Sequence, residues 1–221
     1  MGGSGGFPID LILFGMIALF LVLRLRSILG RRTGYEHPPQ PIQPAGRTIN
    51  SPVIEGRAEV APASGRALPD IASPSGQVLL RIQEKDRNFV PAGFLAGAEK
   101  AFGMIVTAYA AGDRATLRNL LADETYQAFE GAITAREVAG QTQSTEIRAI
   151  PLVAIEAAEL TGAIARITVR FVSDQISMTV DAAKRPVSGA DAVTEITDIW
   201  TFERDLTSAN LAWRLVAARN A

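Results

Sequence analysis

Ile164-Ala165-Arg166-Ile167-Thr168-Val169-Arg170-Phe171-Val172-Ser173 decides the fold class of this chain. Ile167, Val169 and Phe171 alternate with Arg166, Thr168 and Arg170. A period of two gives a strand one apolar and one polar face. Gly162 marks a turn just before it. Residues 147–157 read as the preceding strand, broken or edged at Pro151, because proline has no N–H to give to a ladder. Downstream, residues 176–181 continue the pattern after a bulge or bend, and a turn is expected over 184–190. Residues 193–205 and 212–218 complete the run of strands, with Trp200 and Phe202 on one face and Trp213 paired similarly with Leu215.

Upstream of Gly140 the period is helical. Phe94, Ala98, Ala101, Phe102, Ile105 and Tyr109 recur at spacings of three and four, which predicts a long helix over 89–111. Pro91 suits its first turn and Gly112 its end. Asp113 is expected to cap a short helix carrying Leu117, Leu120 and Leu121. Asp123 is expected to cap a third, carrying Tyr126, Phe129, Ile133 and Val138 and stopping at Gly140. Residues 75–88 form a candidate helix of their own, with Leu79 and Ile82 on one side. Helices first and strands afterwards indicate an α+β fold, N-terminal helices packed on an antiparallel sheet.

The N-terminal part is of another kind. Residues 9–25 are almost wholly apolar, about 25 Å of helix at 1.5 Å per residue, the short end of what spans a bilayer. Leu11, Phe14, Ile17, Phe20 and Leu23 are the expected membrane-anchor residues. Asp10 and Arg24 stand at the ends, where side chains snorkel to the interface. Arg24, Arg26, Arg31 and Arg32 follow within the window of the positive-inside bias, so the N-terminus is expected outside and the remainder in the cytoplasm. A cleaved signal would carry its basic residues before the apolar run and small residues after it, the reverse of this order. Four segments result: a Gly-rich tail over 1–8, a transmembrane helix with its basic flank over 9–29, a Pro-rich disordered linker over 30–77, and a folded domain over 78–221. About 40 residues of such linker have an r.m.s. span of roughly 35 Å.

Composition removes several classes of chemistry. The 221 residues include no cysteine and one histidine, and the formal net charge is −1. Disulfides, zinc–thiolate sites, iron–sulfur clusters and a cysteine nucleophile are excluded together. His37 lies in the Pro-rich stretch, so neither a metal site nor a Ser-His-Asp arrangement is expected. No cofactor and no metal are expected. No basic patch interleaved with aromatics is present, which argues against nucleic acid as a partner. The expected partners are the lipid bilayer and one or more proteins.

Several stretches resemble a known family: Phe94-Leu95-Ala96-Gly97-Ala98, Ala110-Ala111-Gly112-Asp113 with Leu117 and Leu120-Leu121, and Ala135-Arg136-Glu137. The strand quoted first belongs with them, as do Asp198-Ile199-Trp200-Thr201-Phe202-Glu203-Arg204 and Trp213-Arg214-Leu215-Val216. Together they resemble the C-terminal domain of the mitochondrial inner-membrane tether that holds the import motor at the protein translocase, the Tim-forty-four-like family. With its anchor and spacer, the architecture is similar to bacterial membrane-anchored members of the TimA type. The resemblance spans residues 78–219. It implies a fold like nuclear transport factor two, a cystatin-like cone with helices against a strongly curved sheet around an apolar concavity. It further implies a non-enzymatic adaptor of the bacterial inner membrane, in protein translocation or membrane-complex assembly, and a first helix whose entry touches lipid.

Two sets of residues follow as candidates. Phe89, Phe94 and Leu95 form an apolar head after Glu84-Lys85-Asp86-Arg87 and are candidates for contact with a partner or lipid, with core packing the favoured reading because the four charges cancel. Phe102, Asp198, Trp200, Phe202 and Trp213 are candidates to line the concavity. Alternation puts Asp198, Trp200, Phe202 and Arg204 on one face of their strand. Asp198 in an apolar pocket would be a base of raised pKa. The favoured reading is instead an ion pair with Arg166 or Arg170 on the neighbouring strand. The alternative to the adaptor is a cavity that binds a small apolar ligand or lipid, or performs chemistry there.

Overall fold

The computed structural model describes residues 65–221. The elements run β1 (Gly65–Ala67), α1 (Pro74–Lys85), α2 (Pro91–Ala111), α3 (Arg114–Leu120), α4 (Asp123–Val138), β2 (Thr142–Thr161), β3 (Ile164–Val180), β4 (Pro186–Asp205) and β5 (Arg214–Asn220). They form an α+β fold with one sheet in the order β1-β2-β3-β4-β5. The anchor residues Leu11, Phe14, Ile17, Phe20 and Leu23, the arginines Arg24, Arg26, Arg31 and Arg32, and the linker as far as residue 64 lie outside the described residues. Among the described residues no helix is long and apolar enough to cross a membrane.

The helix signals work locally. α1 is capped by Ser73, whose hydroxyl accepts from the Gly76 N–H at 3.1 Å. Pro91 opens α2, and Gly112 closes it at φ 73°, a left-handed conformation that costs glycine little. Asp113 accepts from Thr116 N–H at 3.0 Å and starts α3. The cap expected at Asp123 falls one residue earlier. Ala122 is the N-cap, with no side-chain bond, while Asp123 and Glu124 occupy the first helical turn, where their charge meets the positive end of the helix dipole.

The strands correct several expectations. β2, β3 and β4 are 20, 17 and 20 residues long and run as continuous antiparallel neighbours. The breaks read at Pro151 and near Ile176 are register shifts inside long strands. The turn expected over 184–190 lies over 181–185 instead. There the Asp181 carboxylate accepts from the N–H groups of Ala183 and Arg185, both at 2.9 Å, and Lys184 has φ 61°. The sheet is mixed, because β1 runs parallel to β2. Order therefore begins ahead of Val78: β1 and the first turn of α1 occupy part of the stretch read as linker.

The core sits between the helices and one face of the sheet. Ile167, Val169 and Phe171 of β3 are wholly buried, as are Leu95 and Phe102 of α2, Ile82 of α1, Leu117 of α3, Ile133 of α4 and Leu215 of β5. Arg166 and Arg170 point the other way. Burial at roughly 25 cal/mol per Å² of apolar surface makes this face the main source of stability.

Candidate functional site

β4 positions the residues singled out for the concavity, and alternation holds. Trp200, Phe202 and Arg204 are buried. Opposite them, Phe102 of α2 stacks on Phe171 of β3 at 4.5 Å and 13°, with Trp200 at 4.7 Å. Toward the other end, Phe94 meets Phe202 at 6.0 Å and Trp213 at 4.8 Å, both edge to face. These geometries fill space. Two surface depressions, about 430 Å³ beside Met104 and Thr107 and about 140 Å³ beside Glu159 and Arg166, are lined by none of the candidate residues. Phe102, Trp200 and Phe202 are buried core aromatics packed on one another, with the partly buried Trp213 against them.

Phe89, Phe94 and Leu95 are also placed in the core. They are buried, with Phe89 against Trp213 at 5.8 Å and against Phe94 at 6.1 Å. The exposed apolar residue at that corner is Val90. The charged stretch before it does more than cancel. Asp86, the C-cap of α1, accepts from Asn88 N–H at 3.0 Å through one oxygen and pairs with the Arg204 guanidinium through the other. Arg204 lies over the Trp213 ring at 5.5 Å, and its Nε is buried without a hydrogen-bond partner. The Arg204 hydrogen bond holds the Asp86 carboxyl below the usual carboxylate range, against the opposing effect of burial. This lock was missed in the sequence. Its signal was there: strand alternation turned Arg204 inward, and an inward arginine requires an acid.

Asp198 departs from the favoured expectation. Arg166 pairs with Glu203 at 2.7 Å, and Arg170 pairs with Glu156. In the β3–β4 ladder Asp198 lies opposite Phe171, whereas Arg166 lies opposite Glu203 and Arg170 opposite Ile199. Residues directly opposite share a face, so neither arginine can reach Asp198. Left half-buried beside Trp200, its carboxyl is pushed up to about 6 by burial, with the Trp200 indole pulling slightly the other way. Glu156 is the acid that Arg170 uses.

Arg136 organises the opposite end of the domain. Its guanidinium donates to the carbonyls of Tyr109 at 2.7 Å and Ala110 at 3.1 Å in the last turn of α2, the first of which also accepts from the Gly112 N–H at 3.3 Å, and to Gln143 Oε1. It also covers the Tyr109 ring at 5.1 Å. Glu137 receives Arg114 through both oxygens, at 2.9 and 2.7 Å. Residues 136 and 137 thus tie three helices and β2 together. Among the described residues no group of His, Cys, Asp and Glu is arranged to hold a metal ion.

Four helices against a five-stranded mixed sheet, with aromatics packed between them, define an α+β domain. The model of the Tim44-like domain matches residues 75–220, and the chain belongs to that family. No curated protein matches the chain. Among solved structures, the intermembrane-space region of the chloroplast protein ARC6 is similar at 10% identity and a TM-score of 0.43, covering 57% of this chain and 94% of that one. TsrD from Streptomyces laurentii is similar at 16% identity and a TM-score of 0.27, covering 57% and 88%. A putative ketosteroid isomerase from Shewanella frigidimarina stands at 12% identity and 0.27, covering 70% and 100%. At these scores the three likenesses carry no argument about activity.

Proposed function

We propose that this protein is a non-enzymatic, membrane-anchored adaptor whose Tim44-like domain binds a protein partner at the cytoplasmic face of a bacterial inner membrane. The observation that carries the reading is the family membership over residues 75–220. The apolar run of residues 9–25, with its arginine flank, supports the anchor and the orientation. The aromatic filling between α2 and the sheet supports recognition on the outside of the domain rather than inside it. Tethering raises the concentration of the domain near membrane clients without new contacts, into the millimolar range for short linkers. Protein translocation or membrane-complex assembly is the process the family membership favours.

The test is crosslinking from the domain in intact membranes. Reproducible recovery of one protein is expected, and its absence would overturn the adaptor. Because the chain has no cysteine, single cysteines at Ser4 and Ser75 report topology with an impermeant thiol reagent. Labelling at Ser4 with protection at Ser75 is expected. One observation favours a second reading, the binding of a small apolar ligand or lipid or chemistry at Asp198: that carboxyl is half-buried, without an arginine, and raised to about 6. It requires that Asp198→Asn change a binding or activity and not stability alone.

A further inference from the structure

β1 is an odd strand. It has three residues, all exposed, and joins β2 in the parallel sense, with Gly65 opposite Leu152, Arg66 opposite Val153 and Ala67 opposite Ala154. It is held by its backbone ladder and by one side chain: Arg66 reaches Glu99 of α2 with both Nε and Nη2 at 2.8 Å. The Glu99 carboxylate is mostly shielded, at 19% exposure, and faces the β2 edge from the helix above. At the first position, a Cβ on Gly65 would stand 3.2 Å from the Pro151 carbonyl, so only a small residue fits without a shift. The features of this edge therefore specify a small residue followed by a basic one, as well as a backbone direction.

We propose that the β2 edge at Leu152–Ala154, together with Glu99, is a strand-addition site for an extended segment carrying a small residue followed by a basic one. Gly65–Ala67 fills it in cis, and a partner protein's segment of that chemistry fills it in trans. The charge complementarity of Arg66 and Glu99 and the seated cis strand argue for this occupant. On the far side of the sheet β5 covers β4 only over Asp198–Glu203, and the uncovered edge of β4 is defended. β4 carries Pro186, a register break that leaves residues 191–193 unpaired with β3, and the acids Asp191 and Glu195. N-terminal to this seat the β2 edge carries Pro151, two register shifts and the charges Glu146 and Arg148, which confine strand addition to Leu152–Ala154. The cis strand competes by its high local concentration, so the site is self-masked and opens when the Arg66–Glu99 contact is lost.

The experiment uses the full chain and a fluorescent peptide with the sequence of residues 63–70, Ala-Ser-Gly-Arg-Ala-Leu-Pro-Asp. Arg66→Glu places two acids together and should eject β1 while leaving the exposed position harmless to folding, which circular dichroism checks. Amide exchange at Leu152–Ala154 should then accelerate. The peptide should bind this variant more tightly than the wild-type chain by about fivefold or more, the scale of one surface ion pair. Glu99→Lys alone, with Arg66 kept, also ejects β1 by like charge; that chain should refuse this peptide and bind one with Glu in place of its Arg. No saturable binding to the Arg66→Glu chain overturns the proposal, whatever the exchange rates do. Binding that persists unchanged with Glu99→Lys also overturns it, because the peptide is then elsewhere.

Discussion

Removing the Asp86 carboxylate should unfold this domain more readily than any surface substitution. Arg204 and Asp86 keep 8% and 13% of their side-chain surface exposed, and the Arg204 Nε already lacks a hydrogen bond. In Asp86→Ala the guanidinium stays buried with only the Trp213 face as company. Deleting one partner of a buried pair costs about 3–5 kcal/mol, because the other charge is left unsolvated. The cation–π contact offsets none of this, since it is present with or without Asp86. For a domain of this size each kcal/mol shifts Tm by roughly 2–4 °C, so a loss of about 8–15 °C is expected. The assay is urea and thermal unfolding followed by tryptophan fluorescence, which reads Trp213 beside the lock. The double variant Asp86→Leu with Arg204→Met should recover most of the loss, since replacing both charges removes the desolvation problem. The pH dependence has a definite sign. Arg204 lowers the Asp86 pKa in the folded state, so the stabilisation is present above the ordinary carboxylate range and is lost as pH falls through the folded value. The gap between wild type and Asp86→Ala should thus close in acid. A cost below about 1 kcal/mol near neutrality, or a double variant as unstable as the single one, would refute the reasoning.

Asp198 should behave with the opposite sign. Its folded pKa of about 6 lies above the unfolded one, so ionisation penalises the fold above the unfolded pKa, fully so once pH exceeds the folded value. Asp198→Asn should add about 1–2 kcal/mol of stability near pH 7.5 and nothing near pH 4, by denaturation at the two values. Arg136→Ala removes the donors to the Tyr109 and Ala110 carbonyls, leaving Tyr109 only the Gly112 N–H, and should cost about 1–3 kcal/mol, with faster amide exchange at the end of α2 as its local mark. Gly76→Ala puts a methyl group 2.1 Å from the Asp70 carbonyl oxygen, so backbone must move. It should destabilise by about 1–3 kcal/mol despite the better helix propensity of alanine, and a neutral or stabilising result in urea unfolding would contradict the close approach.

How far the sequence could be read depends on the range of the physics involved. Pro91, Gly112, Ser73 and Asp113 act within a turn of helix, and each sits at or beside the boundary it marks. Alternation in β3 is equally local and sorted Ile167, Val169 and Phe171 from Arg166 and Arg170 correctly. The extent of β2 and β4 was underestimated because the outer half of β2 is largely polar and that of β4 is mainly exposed, small and apolar residues with no alternating pattern. Asp123 was misplaced by one residue because an acid suits the cap and the first turn alike. β1 was invisible: three exposed residues in a Pro- and Ala-rich stretch have no period at all.

By itself, then, the amino-acid order determined the α+β class, the helix ends, the buried face of each main strand and the family. Those properties follow from spacing along one chain and from caps that act over three or four residues. Only the tertiary structure decided which charge meets which. Arg204 found Asp86 across 118 positions, Arg66 found Glu99, and Asp198 found no arginine. Pairings of that kind depend on register between strands and on the height of a helix above the sheet. Whether an apolar concavity stays open or fills with its own aromatics likewise depends on close packing, which no one-dimensional pattern encodes.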